Sequence, residues 1–336
     1  MRKLLALTTC ILALAGCKSG NARKALLPEV SGKAGEVLVV LDKGNWEGQL
    51  GEDIRDILAA DCPFLPLREP LYTLVNVAPS AFNDLFRVHR NIVYLYLSSS
   101  VEENRIDYLS DAYASPQCLV RVSARTAADA SALIKEQGAK MVAALEQAER
   151  DRVISNARKY EQRDIAPKVA KVFGGSIHFP AGYQLRKITD NFAWAQYDTQ
   201  NSTLGLLVYK YPVELGQEEF SLERLVQKRN EIMKDNVPGG REGSYMVTAG
   251  PEAFPPYVEY IKYKGREFAQ LRGLWEMEGD FMGGPFVSEA FYSLDGKDII
   301  VTEAFVYNPS KNKRQLLRQV ESILYAWDWV KEEEKK

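Results

Sequence analysis

Apolar positions recur along this chain in two rhythms, and the change between them divides it. Four short apolar runs, "EVLVVL" (36–41), "LYTLVNV" (71–77), "NIVYLYL" (91–97) and "CLVRVSA" (118–124), are the length of buried strands and rich in Val, Leu and Tyr. Helical spacing separates them. Leu50, Ile54, Ile57 and Leu58 fall on one face of 48–60, and Ser80 precedes a short turn carrying Phe82, Leu85 and Phe86. Thr126-Ala-Ala-Asp129 has the form of a capping box, and behind it Leu133, Ile134, Met141, Val142 and Leu145 make an apolar stripe. Strands alternating with helices predict an α/β sheet domain over residues 35–145.

From Glu146 to Lys171 the pattern fades into twelve charged residues with few apolar ones. A helix of that composition is expected to be solvated, so 146–174 reads as a connecting helix. Pro167 should kink or restart it, and Gly174-Gly175 end it. The second half, 175–329, runs strand after strand: "FAWAQYD", "TLGLLVYKY", "YVEYIKY", "EFAQLRGLWEM", "FVSEAFYSL" and "DIIVTEAFVY". Lys264-Gly265 and Asp295-Gly296 sit between them as hairpin turns. One helix capped by Ser221 interrupts the series, and one starting at Asn308-Pro309 closes it. This predicts an antiparallel sheet flanked by helices, and an α+β chain as a whole. The charged residues 330–336 read as a frayed tail.

The first 34 residues belong to neither rhythm. Arg2 and Lys3 precede an apolar run from Leu4 to Ala15, which is a secretory leader too short to span a bilayer as a helix. It ends in Leu14-Ala15-Gly16-Cys17, which resembles the lipobox of bacterial lipoproteins. That resemblance implies cleavage after residue 16 and a diacylglyceryl thioether on Cys17. Two or three acyl chains, at about 0.8 kcal/mol per buried methylene, anchor a protein durably. Residues 17–34 are polar, small and broken by Gly and Pro, and read as a tether. Lys18 follows the cysteine, where Asp would favour inner-membrane retention, so the expected address is the outer membrane, facing the periplasm.

Removal of residues 1–16 leaves 320 of 336 residues, enough for two domains, with 41 basic against 45 acidic side chains. No basic stripe appears, which argues against nucleic acid as a partner. Cys62 and Cys118 remain besides Cys17. Export permits a disulfide between them, and two buried free thiols fit equally.

Two resemblances bear on the fold. The order of strand, His178-Phe179-Pro180-Ala181-Gly182-Tyr183, aromatic strand, helix, meander and closing "QLLRQVESIL" resembles PsbP-like domains over residues 176 to about 329. There the sheet is flanked by helices and the commonest role is binding a partner. The mature chain also resembles the Bacteroidetes lipoprotein family called domain of unknown function 4837. Its carriers are "GEVLVVLDKGNWEG" (35–48), "REPLYTLVNVAPSAF" (68–82), "HRNI" (89–92) and "FPAGY" (179–183). That family implies no activity.

Candidate chemistry is sparse. With only His89 and His178, zinc sites and Ser-His or Cys-His pairs have little to draw on, and no metal or cofactor is expected. "GGSIH" (174–178) reads as a domain junction leading into a strand. Arg87, His89 and Arg90 read as a polar lead into a strand or as an anion-binding patch. Asp42 and Trp46 follow the first strand, at the sheet end where α/β domains bind ligands; the plainer reading is that Asp42 ties down the turn and Trp46 caps the core. In "WEMEGDFMGGPF" (275–286), Trp275, Glu278, Asp280 and Phe281 make a candidate docking loop or, with their carboxylates, an acid–base site. The function expected is binding or scaffolding toward a protein or envelope ligand, without catalysis. The alternatives are a carboxylate-dependent envelope hydrolase and a small-ligand binding protein with a pocket between its domains.

Overall fold

The structure is a computed structural model that describes residues 26–250, 254–309 and 311–330. The leader, Cys17 and the end of the charged tail lie outside the described residues. Among those described, no helix is long and apolar enough to cross a membrane.

The first half follows the expected alternation. Strand β1 (Glu36–Val40) leads through helix α1 (Lys43–Glu47) into α2 (Gln49–Leu58), and then come β2 (Thr73–Val77), α3 (Asp84–Arg87), β3 (Asn91–Leu97), β4 (Arg105–Ser110) and β5 (Cys118–Ala124). The sheet order is β2-β1-β3-β5-β4, parallel except for β4, which pairs antiparallel at the edge. Because β1 is buried on both faces, its residues alternate between two cores. Val37, Val39 and Leu41 pack under the helices with Leu50, Ile54 and Met141, while Leu38 and Val40 pack with Ile92 and Leu119 on the far side.

Helix α4 (Ala127–Lys159) is the main departure from expectation. It begins at the capping box, where the Thr126 side chain accepts from Asp129 N, and runs unbroken for 33 residues. Its first half supplies Ile134, Met141 and Leu145 to the first core, and its second half supplies Ile154 and Ala157 to the second. The connecting stretch is therefore neither a separate helix nor a solvated one. Glu149 and Arg152 are buried. Arg152 donates to the carbonyls of Arg90 (2.7 Å) and Pro116 (2.9 Å) and to Asn91 Oδ1 (3.0 Å). Glu149 Oε1 accepts from Asn91 Nδ2 at 2.7 Å. The helix turns charge inward because the strand starts beneath it present carbonyls and amides that need partners.

After the break at 160–165 come α5 (Ala166–Phe173), with Pro167 in its first turn, β6 (Gly175–Ser176), β7 (Gln184–Ile188), β8 (Phe192–Asp198) and β9 (Thr203–Pro212). Then follow α6 (Leu222–Asn236), β10 (Tyr245–Thr248), β11 (Tyr257–Tyr263), β12 (Arg266–Glu278), β13 (Gly283–Tyr292), β14 (Asp298–Tyr307), α7 (Arg314–Leu324) and β15 (Asp328–Trp329). The large sheet is antiparallel, in the order β10-β12-β13-β14-β9-β8-β7, with β11 also on β12. One face packs on α7 and the end of α4 through Leu206, Val287 and Val320, and the other on α6 through Leu207, Leu225 and Met233. Gly205 makes this stacking possible, since a Cβ there would overlap the Phe305 ring. This is the antiparallel sheet flanked by helices that the PsbP-like resemblance implies. The closing helix starts at Arg314, later than Asn308-Pro309, because Asn308 first folds its side chain onto Asn312 O.

Candidate functional site

The residues singled out from the sequence do not converge. Asp42 caps α1 by accepting from Asn45 N at 3.1 Å, and its hydrogen bonds with Asn45 hold its carboxyl below the usual range. Trp46 lies half-buried against the first core with the Arg55 guanidinium 4.8 Å from its ring. Both take the plainer of their two roles. Arg87 pairs with Asp84 at 3.0 Å, while His89 is buried with Nε2 2.9 Å from Glu36 Oε1. Arg90 lies 3.3 Å from Glu149. Each of the three thus meets a different acid, and no shared anion patch forms.

The 275–286 segment needs a correction. Strand β12 runs to Glu278 and includes Trp275, as the run "EFAQLRGLWEM" predicts; Trp275 is 1 % exposed and its Nε1 donates to Val306 O, so it cannot serve in a docking loop. The exposed residues of the segment are Glu276 and Glu278 of the strand and, at the tip, Gly279 and Phe281. Phe281 is 92 % exposed, under the Arg241 guanidinium that also pairs with Asp280 at 3.4 Å, and Glu278 is an exposed strand end. The disulfide alternative is also overturned. Cys62 and Cys118 are both free, because Cys118 sits under α4 in the first core while Cys62 packs against the second. Burial pushes each thiol up to about 11, which keeps it protonated and a poor nucleophile near neutral pH.

What the fold does bring together is a set of charges where the two sheets meet. A cavity of about 280 Å³ opens between the 59–71 loop, α4, α7 and the β11–β12 ribbon, and Cys62 lines it. Its walls are locked across the junction. Glu69, buried in the first half, accepts from Lys313 N (2.6 Å) and Arg314 N (3.0 Å), and so caps α7, which has no side-chain cap of its own. Arg318 grips Glu146 with Nε (3.1 Å) and Nη2 (2.7 Å), donates to Leu71 O, and lies 4.8 Å from the Tyr72 ring. Tyr72 completes the knot by donating to Glu146 at 2.8 Å. Gly35, at φ +71°, stands where a Cβ would come within 2.7 Å of Arg318 Nη1.

Four guanidinium groups face this cavity, and they are not equivalent. Arg318 is bidentate on Glu146, and Arg272 is bidentate on Glu321. Burial opposes the charge on Arg318, and Glu146 more than restores it. Arg314 makes its hydrogen bonds to Pro70 O and Thr73 Oγ1, and its Nε is enclosed without a partner. Burial, and then the neighbouring Arg318, push its pKa down. Arg150 donates to Gln147 at 3.1 Å and stacks 3.9 Å from the Tyr325 ring. Neither Arg314 nor Arg150 has an ion-pair partner among the described residues. Nothing in the sequence singles this site out. Its trace there is a charged stripe, Arg314, Arg318 and Glu321, on the polar side of the closing helix. No group of three or more His, Cys, Asp or Glu that could hold a metal occurs among the described residues.

Two family models match the chain, one on each side of residues 159–161. Residues 162–326 match the family described as Domain of unknown function (DUF4837), and residues 30–158 match a separate one, Domain of unknown function (DUF8532). No curated protein matches. Among solved structures, a protein of Bacteroides thetaiotaomicron is similar at 11% identity and TM-score 0.26, over 48% of this chain and 47% of that one. The chain thus spans about half the length of that protein. A point mutant of the protein Mog1 is similar at 9% identity and TM-score 0.29, over 48% of this chain and 93% of that one. LpqN of Mycobacterium tuberculosis, described as involved in cell envelope biogenesis, is similar at 12% identity and TM-score 0.26, over 45% of this chain and 79% of that one.

Proposed function

We propose that this protein, whose residues 162–326 match the family described as domain of unknown function 4837, is an envelope lipoprotein that works by binding and not by catalysis. The ligand site in this reading is the cavity at the junction of the two sheets. One observation carries it: the cavity is walled by both halves of the chain, and those walls are locked by Glu69 on α7 and Arg318 on Glu146. A binding site is best served by walls already in place, because ordering them on association would cost affinity. The only thiol in the cavity is held protonated by burial, which disfavours covalent chemistry there.

The address follows from the lipobox. In this reading Cys17 carries lipid, the tether spans to Gly35, and the body sits at the periplasmic face of the outer membrane. Replacement of Cys17 by Ser is expected to abolish incorporation of labelled palmitate and to move the chain out of the membrane fraction. Retained label or unchanged fractionation would contradict the address. For the binding reading, native mass spectrometry of protein released from its own envelope is expected to show a non-covalent adduct of small-molecule mass. A bare polypeptide mass under conditions that keep the fold would contradict it.

A further inference from the structure

The class of ligand follows from which charges in the cavity are matched, an argument that rests on the binding reading above. We propose that the junction cavity holds a small organic anion, a phosphate or carboxylate carried on an apolar body, with Arg314 and Arg150 as its cationic contacts.

The charge inventory points this way. Arg318 and Arg272 are each saturated by a bidentate carboxylate, so Glu146 and Glu321 are spent. Two lining guanidinium groups remain against one lining acid, Glu259, which sits exposed on β11. Arg314 is the more demanding of the two. Its planar fork is half-occupied by an amide carbonyl and a hydroxyl, Arg318 repels it from the next turn of the same helix, and the nearby acids that favour its charge are engaged elsewhere, Glu69 by backbone amides and Glu146 by Arg318. An arginine so placed is suited to a planar or tetrahedral oxyanion, which offers charge and two acceptors together. The start of α7 already holds an anionic group, because Glu69 accepts from the amides of Lys313 and Arg314.

The remaining wall sets the other end of the ligand. Phe64 and Tyr257, stacked with ring centroids 6.0 Å apart, line the cavity together with Leu71 and Leu317. A bare inorganic ion would leave that surface unused. At about 280 Å³ the cavity is at the small end for ligand sites, which suits a single ring or short chain bearing one anionic group.

Cys62 supplies a native reporter, since it lines the cavity while the other free thiol in the described residues, Cys118, is buried under α4. The full mature chain is alkylated with N-ethylmaleimide, and the rate at each cysteine is read by peptide mass. The additions are phenyl phosphate, phenylacetate, inorganic phosphate and, as the cationic counterpart, benzylamine. Phenyl phosphate or phenylacetate is expected to slow Cys62 roughly ten-fold at about ten times its dissociation constant and to leave Cys118 unchanged. The tighter of the two names the anionic group. Inorganic phosphate should protect less than either, and benzylamine should protect neither thiol. Arg314→Leu should abolish the protection while the circular dichroism stays native. Arg150→Leu is the second variant, and carries the test if the first does not fold. Equal protection by benzylamine, protection that survives both variants, or none from either organic anion at millimolar concentration would overturn the proposal. An envelope-derived adduct that persists in Arg314→Leu would remove this ligand class and leave the binding reading standing.

Discussion

Two clusters of buried charge in this protein use the same residue types to different ends. Beneath α6, Arg229 and Glu303 are both fully buried, and Arg229 Nη2 donates to Glu303 Oε1 at 2.8 Å. The remaining edges are matched as well: Nη1 donates to Thr248, Tyr209 donates to Glu303 at 3.2 Å, and the Phe286 ring lies 3.8 Å from the guanidinium. At the junction, Arg318 and Arg272 are matched in the same manner, but Arg314 and Arg150 are not, and space lies beside them. Burial of charge does not by itself mark a site. The sealed pair is part of the fold, and the surplus beside a cavity is where a ligand would complete the inventory.

The comparison can be broken by unmatching the sealed pair. Arg229→Met leaves Glu303 buried without its partner and should destabilise the protein by about 3–5 kcal/mol in urea unfolding. Arg314→Leu removes a cation with no acid partner and should cost about 1 kcal/mol or less in the same experiment. Equal losses would erase the distinction.

A third buried charge sharpens it through pH. Burial pushes Glu289 up from 4.5 to about 7, with Arg266 at 2.6 Å only partly offsetting the effect. An acid whose folded pKa is raised contributes stability at low pH that fades as pH climbs from the unfolded value to the folded one. Between pH 4.5 and about 7 the unfolded chain has released the proton and the folded chain still holds it, so stability falls by about 3 kcal/mol and then levels. Glu289→Gln should flatten that slope in unfolding curves taken across the window. An unchanged slope would show that Arg266 keeps the carboxylate charged.

Smaller effects test the locking of the junction. Glu69→Ala uncaps α7 from across the interface and should cost about 1–2 kcal/mol, with faster amide exchange confined to the start of that helix. Thr126→Ala, at the start of α4, should cost about 1 kcal/mol and leave the junction intact. A larger loss at Thr126 than at Glu69 would place the weaker link in the first domain.

Most of the scaffold is legible in the sequence, because buried strands and capped helices leave local signatures. The Thr126 box, the Lys264-Gly265 turn and the long β12–β14 meander all appear where periodicity places them. The misses have physical causes. Strands β4 and β10 escape a reading by pattern because edge strands need no continuous apolar run, and β10 buries only Met246 fully. The second half of α4 looks solvated because Glu149 and Arg152 meet their partners in the first sheet, a contact that no local pattern records. Trp275 falls in the strand-like run "EFAQLRGLWEM", but the pattern does not say that its ring faces the core and cannot join Phe281 in a docking surface. A pocket between the domains is among the expectations from sequence, but the residues that line it are not legible there. Arg150, Arg272 and Arg314 lie far apart in the chain, and only the packing of α4, β12 and α7 together brings them to one space.

The most direct test is a crystal structure of the full mature chain grown with phenyl phosphate. The phosphate should lie within hydrogen-bonding distance of Arg314, with the ring against Phe64 and Tyr257. A cavity that stays empty at saturating ligand, or a phosphate bound elsewhere on the molecule, would contradict the account.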